Sequence, residues 1–270
     1  MRLASIASGS SGNCIYVGSD TTHLLVDVGI SGKKVESGVN ELGLDMSDID
    51  GILITHEHSD HIAGLGVISR RYNIPIYTTR GTKRGIMDPR MRLGNIDPDL
   101  ICEIYPDEKL TIKDIVVNPM KVSHDANEPV AYRFKHGNQK LAVVTDLGNY
   151  TDYTVECLQN MNALLLEANH DVRMLQVGPY PYYLKQRILS DHGHLSNERA
   201  GELLSKLLND NMKAVFLGHL SKENNVPELA YESVRCEVTM NNEMHNSGIS
   251  INDIELYVAK RDCISNIVEI

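Results

Sequence analysis

The most constraining feature of the sequence is a cluster of metal-binding side chains directly after an apolar segment. Residues 51–55 (Gly-Ile-Leu-Ile-Thr) predict a buried strand. The next six residues hold four potential ligands, His56, His58, Asp60 and His61. Imidazoles and a carboxylate suit zinc, manganese or iron, and a single loop after a rigid strand lets them surround one point. A lone histidine would be interpreted as structural, but this cluster predicts a metal site.

The rest of the chain is organised as short apolar runs separated by turn-forming residues, with helical spacing between some of them. The pattern predicts a strand meander over 3–6, 14–17 and 23–28, and further strands at 51–55, 75–78, 115–122, 131–134, 141–145, 163–167, 214–217 and 254–259. Helices are predicted at 33–44, 63–72, 152–161, 196–208 and 227–240. We therefore expect an α/β fold in which two mixed sheets pack face to face with helices outside, as a single domain of residues 1–270.

Composition restricts the cellular setting. The chain has 270 residues, 42% of them hydrophobic, and no segment is apolar for long enough to span a bilayer. The first residues, with one basic side chain and an apolar run broken by Ser and Gly, do not resemble a signal peptide. Five scattered cysteines without C-x-x-C spacing predict neither a disulfide framework nor a cysteine zinc site. We expect a cytoplasmic protein without a membrane partner.

Charge leaves two interpretations open. The net charge of −10 disfavours nucleic acid overall, but segment 70–92, the basic segment, carries seven cations against Asp88 alone. One interpretation is a solvated helix face and loop. The other is a track for a phosphate backbone.

The ligand cluster resembles the H-x-H-x-D-H signature of the metallo-β-lactamase superfamily, and three later strand ends offer matching residues, His124, Asp146 and His219. The resemblance implies that His56, His58 and His124 hold one divalent metal, that Asp60, His61 and His219 hold a second, and that Asp146 bridges them with a hydroxide between. Zinc, manganese and iron all suit this ligand set. Asp27 is expected to orient a ligand, with a turn-forming role as the alternative.

Later residues bear on the reaction. Glu167 and His194, in Gly193-His-Leu-Ser-Asn197, resemble the residues thought to supply a leaving-group acid in tRNase Z-like phosphodiesterases. Over nearly the whole chain the sequence is similar to the YycJ/WalJ family of 5′ to 3′ DNA exonucleases. That resemblance implies a DNA substrate. We expect Asp60, Glu167 and His194 to be the catalytic residues. His170 and His192 are expected to be structural.

Two other functions remain open. A small-molecule hydrolase acting on a phosphodiester or thioester would fit the negative net charge. A non-catalytic metal-binding or signalling module would need no leaving-group acid, and the presence of His194 therefore argues against it.

Overall fold

The computed structural model describes residues 1–245 and 250–270. They form two compact units. The first contains Met1–Lys121, Ala126–Asn138 and Lys260–Glu269, and the second contains Val122–Asp125, Gln139–Ala259 and Ile270. The strands are β1 (Arg2–Ala7), β2 (Cys14–Gly18), β3 (His23–Val26), β4 (Gly51–Leu53), β5 (Ile76–Thr79), β6 (Ile101–Ile104), β7 (Leu110–Ile112), β8 (Ile115–Lys121), β9 (Val130–His136), β10 (Gln139–Val144), β11 (Ala163–Glu167), β12 (Ala214–Gly218), β13 (Glu255–Val258) and β14 (Val268–Glu269). The helices are α1 (Gly32–Glu41), α2 (Ser59–Ile62), α3 (Leu65–Tyr72), α4 (Arg80–Ile86), α5 (Asp152–Leu158), α6 (Val172–Val177), α7 (Tyr182–Ile188), α8 (Asn197–Leu207) and α9 (Pro227–His245).

The first unit contains a seven-stranded sheet in the order β14-β1-β2-β3-β4-β5-β6. Strands β1, β2 and β3 form the predicted antiparallel meander, while β3 to β6 run parallel. The apolar side chains of β1 to β5 pack with one face of α1 and α3, where Val35, Val39, Leu65 and Ile68 are fully buried. Burying each such side chain contributes about 1.5–3 kcal/mol, so both helices are held by their apolar faces.

Strands β7 to β9 pair with one another as antiparallel neighbours in the first unit, and β10 to β13 are neighbours in the second unit. Strands β10 to β13 are parallel. Every residue of β11 and β12 is buried, as expected of parallel strands covered on both faces. Helices α8 and α9 pack closely because Gly201 has no side chain, and a Cβ there would come within 2.5 Å of the Glu237 Cβ.

Most of the predicted elements are present, with ends shifted by a few residues. The predicted strand at 163–167 matches β11, and Ser196 caps α8 by accepting from the Arg199 N–H. Helix 33–44 ends earlier, at Glu41, before Gly43 with its left-handed φ of +78°. The sequence pattern did not predict strands β6, β7 and β14 or helices α2, α4, α6 and α7. Within residues 1–245 and 250–270, no helix combines the length and apolarity needed to cross a membrane.

Two candidate metal-binding clusters

The first cluster follows β4 in the first unit, as the sequence predicts. His56 and His61 are buried and His58 is half-buried. The His56 Nε2 and His58 Nδ1 atoms lie 3.0 Å apart. Two nitrogens bound at 2.0–2.1 Å to one tetrahedral cation would be separated by about 3.3 Å. The His61 Nε2 lies 3.5 Å from an Asp60 carboxylate oxygen. These pairs of donor atoms fit a divalent metal.

Asp27 fixes the orientation of this loop. Because β3 and β4 are parallel, with Val26 opposite Leu53, the residues that follow them meet at one sheet edge. One Asp27 oxygen accepts from the Thr55 backbone N–H at 2.9 Å. The other accepts from the Thr55 hydroxyl at 2.8 Å and from the His61 Nδ1 at 2.7 Å. With its Nδ1 proton held in this way, His61 offers its Nε2 to a metal.

Burial is the largest influence on the Asp27 carboxyl and raises its pKa, whereas His61 and the hydrogen bonds from His61 and Thr55 act to lower it. Asp27 also has a left-handed φ of +60°, a conformation that costs energy for most residues. A buried carboxylate held in such a conformation is expected where it orients a functional side chain.

Two further residues support this loop. The Asn13 N–H donates to the Asp60 carbonyl at 2.8 Å, and the Asn13 amide nitrogen lies 3.2 Å from the His61 Nε2. Gly29 passes so close that a Cβ would lie 1.6 Å from the Asp60 carbonyl oxygen. The sequence signal for Gly29 is a glycine just after a strand, where the backbone approaches another segment.

The second cluster lies in the second unit, at the carboxyl ends of its parallel strands. Asp146 comes two residues after β10, Glu167 is the last residue of β11, and His219 directly follows β12. The register pairs Val144 with Leu166, and Glu167 with Gly218, so these ends meet at one sheet edge. Ligand atoms of Asp146, Glu167, His194 and His219 all lie within 4.8 Å of one another.

Glu167 is the shared hydrogen-bond acceptor of the second cluster. Its Oε1 accepts from the Nδ1 atoms of both His194 and His219, each at 2.8 Å. Its Oε2 accepts from the backbone N–H groups of Leu147 at 2.7 Å and Leu195 at 3.2 Å. The Glu167 carboxylate is therefore saturated by four donors and positions two imidazoles. The sequence indicated the pairing with His194 but not the one with His219.

The charge state of Glu167 follows from these contacts. Burial is the largest influence on its pKa and raises it, but the charge of His194 and the hydrogen bonds from His194 and His219 together lower the pKa to about 2. A carboxylate at neutral pH holds the proton of each imidazole on Nδ1. In a neutral imidazole held in this way, Nε2 carries the lone pair. The His194 side chain is 19% exposed, whereas His219 is 2% exposed.

His124 lies beside this cluster. Its Nδ1 donates to the Gly193 carbonyl at 3.0 Å, and its Nε2 is 3.6 Å from an Asp146 oxygen. Burial is the largest influence on the His124 pKa and lowers it, which favours the neutral imidazole that metals bind. Asp125, the next residue, forms a two-point ion pair with Arg187. The second unit thus combines His124, Asp146 and His219 with the Glu167–His194 pair.

The remaining histidines are placed differently. His192 is exposed, and its Nδ1 lies 3.0 Å from the Ser123 hydroxyl. His170 is buried, and its carbonyl accepts from the Asn197 N–H at 2.9 Å. Burial is the main reason that the His170 pKa is lowered to about 4. A structural role for both stays a prediction.

The basic segment is partly neutralised by carboxylates. Arg71, Lys83 and Arg90 form ion pairs with Glu36, Glu103 and Asp88, respectively, and Arg70 donates to the carbonyls of Leu93 and Asn95. Arg80, Arg84 and Arg92 are exposed. Within the described ranges, no carboxylate lies at salt-bridge distance from these three arginines. Only part of the positive charge counted along the sequence is therefore available to a phosphate backbone.

Comparison with known proteins identifies the superfamily of the chain. Residues 22–219 match the family model of the β-lactamase superfamily domain. The structure superposes on the metallo-β-lactamase fold protein YhfI of Bacillus subtilis with a TM-score of 0.68 and 19% identity, covering 98% of each chain. The chain therefore belongs to the β-lactamase superfamily and has its αββα sandwich fold.

Comparison with curated relatives identifies the family of the chain within this superfamily. The chain is 44% identical to exodeoxyribonuclease YycJ of Bacillus anthracis, over 87% of this chain and 88% of the relative. It is 40% identical to exodeoxyribonuclease WalJ of Streptococcus pneumoniae, over 100% of this chain and 98% of the relative. The chain belongs to the YycJ/WalJ family, as the sequence motifs predict.

Proposed function

We propose that this chain is a metal-dependent phosphodiester hydrolase that removes nucleotides from DNA as a 5′ to 3′ exonuclease. The family relationship supports a nuclease. The observation that carries the chemistry is the Glu167–His194 pair, with a 2.8 Å contact from carboxylate to Nδ1 and a partly exposed imidazole. Cleavage of DNA expels an alkoxide, which must gain a proton, and an imidazolium held by a carboxylate can supply it.

The donor sets of the two clusters fit divalent metals. From the family resemblance we propose that His56, His58 and His124 would hold one ion, that Asp60, His61 and His219 would hold a second, and that Asp146 would be a ligand shared by both. When bound, two such cations lower the pKa of water and neutralise charge on phosphate oxygens. Zinc or manganese suits this mixture of imidazoles and carboxylates, and iron is a further option.

The chain's own groups have distinct tasks in this proposal. Asp27 and Glu167 hold the Nδ1 protons of His61 and His219, so that each presents Nε2 as a ligand. His194 gives the proton from its Nε2 to the departing oxygen, and Glu167 stabilises the imidazolium before transfer. Asp60 acts as a ligand close to the reacting phosphate.

We also propose a cytoplasmic location, which the cysteines support. Within residues 1–245 and 250–270 no disulfide is formed by Cys14, Cys102, Cys157, Cys236 or Cys263, as expected in a reducing compartment.

A small phosphodiester or thioester is the second candidate substrate. The net charge of −10 and the ion pairs within the basic segment favour it, because both weaken attraction to a long polyanion.

The test is a substrate panel with purified protein loaded with manganese or zinc. End-labelled duplex DNA, single-stranded DNA, RNA and a small phosphodiester are incubated with wild type, with chelator-treated protein, and with His194→Ala. His192→Ala is the matched control, because His192 lies in the same loop but is exposed. We expect metal-dependent release of nucleotides from DNA 5′ ends, a loss of about 10²-fold or more in His194→Ala, and no loss in the control. Cleavage of the small ester alone would exclude the nuclease.

A second measurement tests the basic segment. Arg80, Arg84 and Arg92 are replaced together by alanine, and DNA affinity is measured between about 50 and 200 mM salt. Because each phosphate contact adds about 0.9 to the slope of log affinity against log salt on duplex DNA, we expect the slope to fall by about 2 to 3. An unchanged slope would remove the basic segment from the interface.

A further inference from the structure

A helical hairpin beside His194 exposes apolar and aromatic side chains that the proposed reaction does not use. It consists of α6 and α7, joined by residues 178–181. Val177 is 86% exposed, Tyr182 76% and Tyr183 75%. Scattered exposed apolar residues are ordinary, but adjacent large ones on one element mark an interaction surface.

The charges around these rings indicate the kind of partner. Residues 172–190 include Arg173, Lys185 and Arg187 and no acidic residue. Arg187 lies on the same face of α7 as Tyr183, four residues later, but its charge is paired with Asp125, so Arg173 and Lys185 are the cations that border the rings. Lys185 donates to the neutral Gln176 carbonyl at 2.8 Å, and among the residues that the structure describes no carboxylate lies at salt-bridge distance from it. Flat aromatic rings bordered by cations bind single-stranded nucleic acid by stacking on bases and attracting phosphates.

Backbone hydrogen bonds connect the hairpin to His194, the proposed acid. The His194 N–H donates to the Ile188 carbonyl at the end of α7 at 3.1 Å, and the Gly193 N–H donates to the Ser190 carbonyl at 2.8 Å. A Cβ on Gly193 would lie 2.1 Å from the Ile188 carbonyl oxygen, so the two segments touch along their backbones. Tyr183 precedes Ile188 by five residues, or about 8 Å along the helix axis. A nucleotide stacked there is held at a fixed position relative to His194.

We propose that Tyr182 and Tyr183 form a base-stacking platform that holds an unpaired strand of the substrate beside His194. This inference rests on the proposed nuclease function and narrows its substrate to nucleic acid with a single-stranded end. The platform requires unpaired bases because in a duplex each base face is covered by its neighbours. Arg173 and Lys185 contribute attraction for the phosphates on either side.

The test is equilibrium binding of the full chain, loaded with metal, to a fluorescent single-stranded DNA with non-hydrolysable phosphorothioate linkages. Tyr182→Ala/Tyr183→Ala is compared with Tyr182→Phe/Tyr183→Phe, which keeps the rings and loses the hydroxyls. Tyr105→Ala is the control for removal of an exposed tyrosine, since Tyr105 is 52% exposed and lies outside the hairpin. A second probe has the same backbone without bases.

We expect the alanine pair to raise the Kd for single-stranded DNA at least about tenfold, and the phenylalanine pair and the Tyr105 variant to stay within about twofold. On the abasic probe the alanine pair should bind like wild type. Unchanged affinity of the alanine pair for the base-containing strand would refute the platform. The platform would also be refuted if the tyrosines bind a second copy of this chain instead. In that case sedimentation would show dimers of the wild type, and the alanine pair would abolish the dimers without altering DNA affinity.

These outcomes are separable from those of the nuclease test. If the chain binds the strand as expected but releases no nucleotides, the stacking platform is supported and the proposed exonuclease activity is refuted. If it cleaves DNA and the alanine pair binds normally, only the platform fails.

Discussion

Replacing Glu167 by glutamine removes one acceptor from a carboxylate that serves four donors. The change keeps the size of the side chain, but one oxygen becomes an NH₂ group that can only donate. That group must face either the Nδ1 atoms of His194 and His219 or the backbone N–H groups of Leu147 and Leu195. Either orientation sets donors against donors inside a buried site.

The size of the effect follows from the number of bonds lost. Each buried donor left without an acceptor costs about 1–3 kcal/mol, and each orientation affects two, so we expect Glu167→Gln to lower the free energy of unfolding by about 2–6 kcal/mol. If the NH₂ faces the imidazoles, their Nδ1 atoms must accept and their protons move to Nε2. His219 would then lose the lone pair that a metal needs, and metal affinity should fall about 10- to 100-fold.

Three measurements check this prediction. Urea unfolding of chelator-treated protein gives the change in stability without metal. Competition with a chelator gives the metal affinity, and nitrogen NMR of the histidine rings reports which nitrogen carries the proton. Glu198→Gln, an exchange of the same kind outside the cluster, is the control. A variant with unfolding free energy within about 0.5 kcal/mol of wild type and unaltered metal affinity would refute the role of Glu167 as the shared acceptor.

Three further predictions rest on other contacts. Gly29→Ala should reduce metal affinity and stability together, because a Cβ would lie 1.6 Å from the Asp60 carbonyl oxygen; titration with zinc checks it, and wild-type affinity would contradict it. Asp114, held by hydrogen bonds from Thr22 and Ser19, has its pKa lowered to about 2. The contribution of Asp114 to the free energy of unfolding should thus be present above the ordinary pKa of the carboxyl and be lost as the pH falls from about 4 to about 2. Since the side chain is 33% exposed, we expect Asp114→Asn to be less stable than wild type by about 1 kcal/mol at pH 7. Acid unfolding measures this difference, and equal stability at pH 7 would count against the prediction. Finally, Asp27→Asn should lower metal affinity about 10- to 100-fold, measured by chelator competition, and an unaffected affinity would show that the carboxylate does not orient its ligand.

The sequence predicted those parts of the fold that depend on local pattern. The apolar run of β11 and the Ser196 cap of α8 are both readable from neighbouring residues. Strand β14 was missed because it exists only through pairing with β1, where Val268 lies opposite Leu3. Helix α7 was missed because its exposed tyrosines obscure the apolar face expected of a helix.

The candidate site divides in the same way. Ligand types and spacing identified the loop from His56 to His61, and the resemblance identified the later strand ends. Contacts between segments distant in sequence were not visible: Gly29 against Asp60, Asn13 beside His61, and the second imidazole on Glu167. Such contacts form only when distant backbone segments approach each other in the folded chain, and no local sequence motif predicts them.

The measurement that bears most directly on the proposed chemistry compares leaving groups in wild type and His194→Ala. Cleavage rates are determined for a DNA end, which expels an alkoxide, and for a p-nitrophenyl phosphodiester, whose leaving group departs without a proton. If His194 is the acid, the variant should lose about 10²-fold or more on DNA and far less on the nitrophenyl ester. Equal losses on both substrates, or no loss on DNA, would contradict the assignment of His194 as the proton donor.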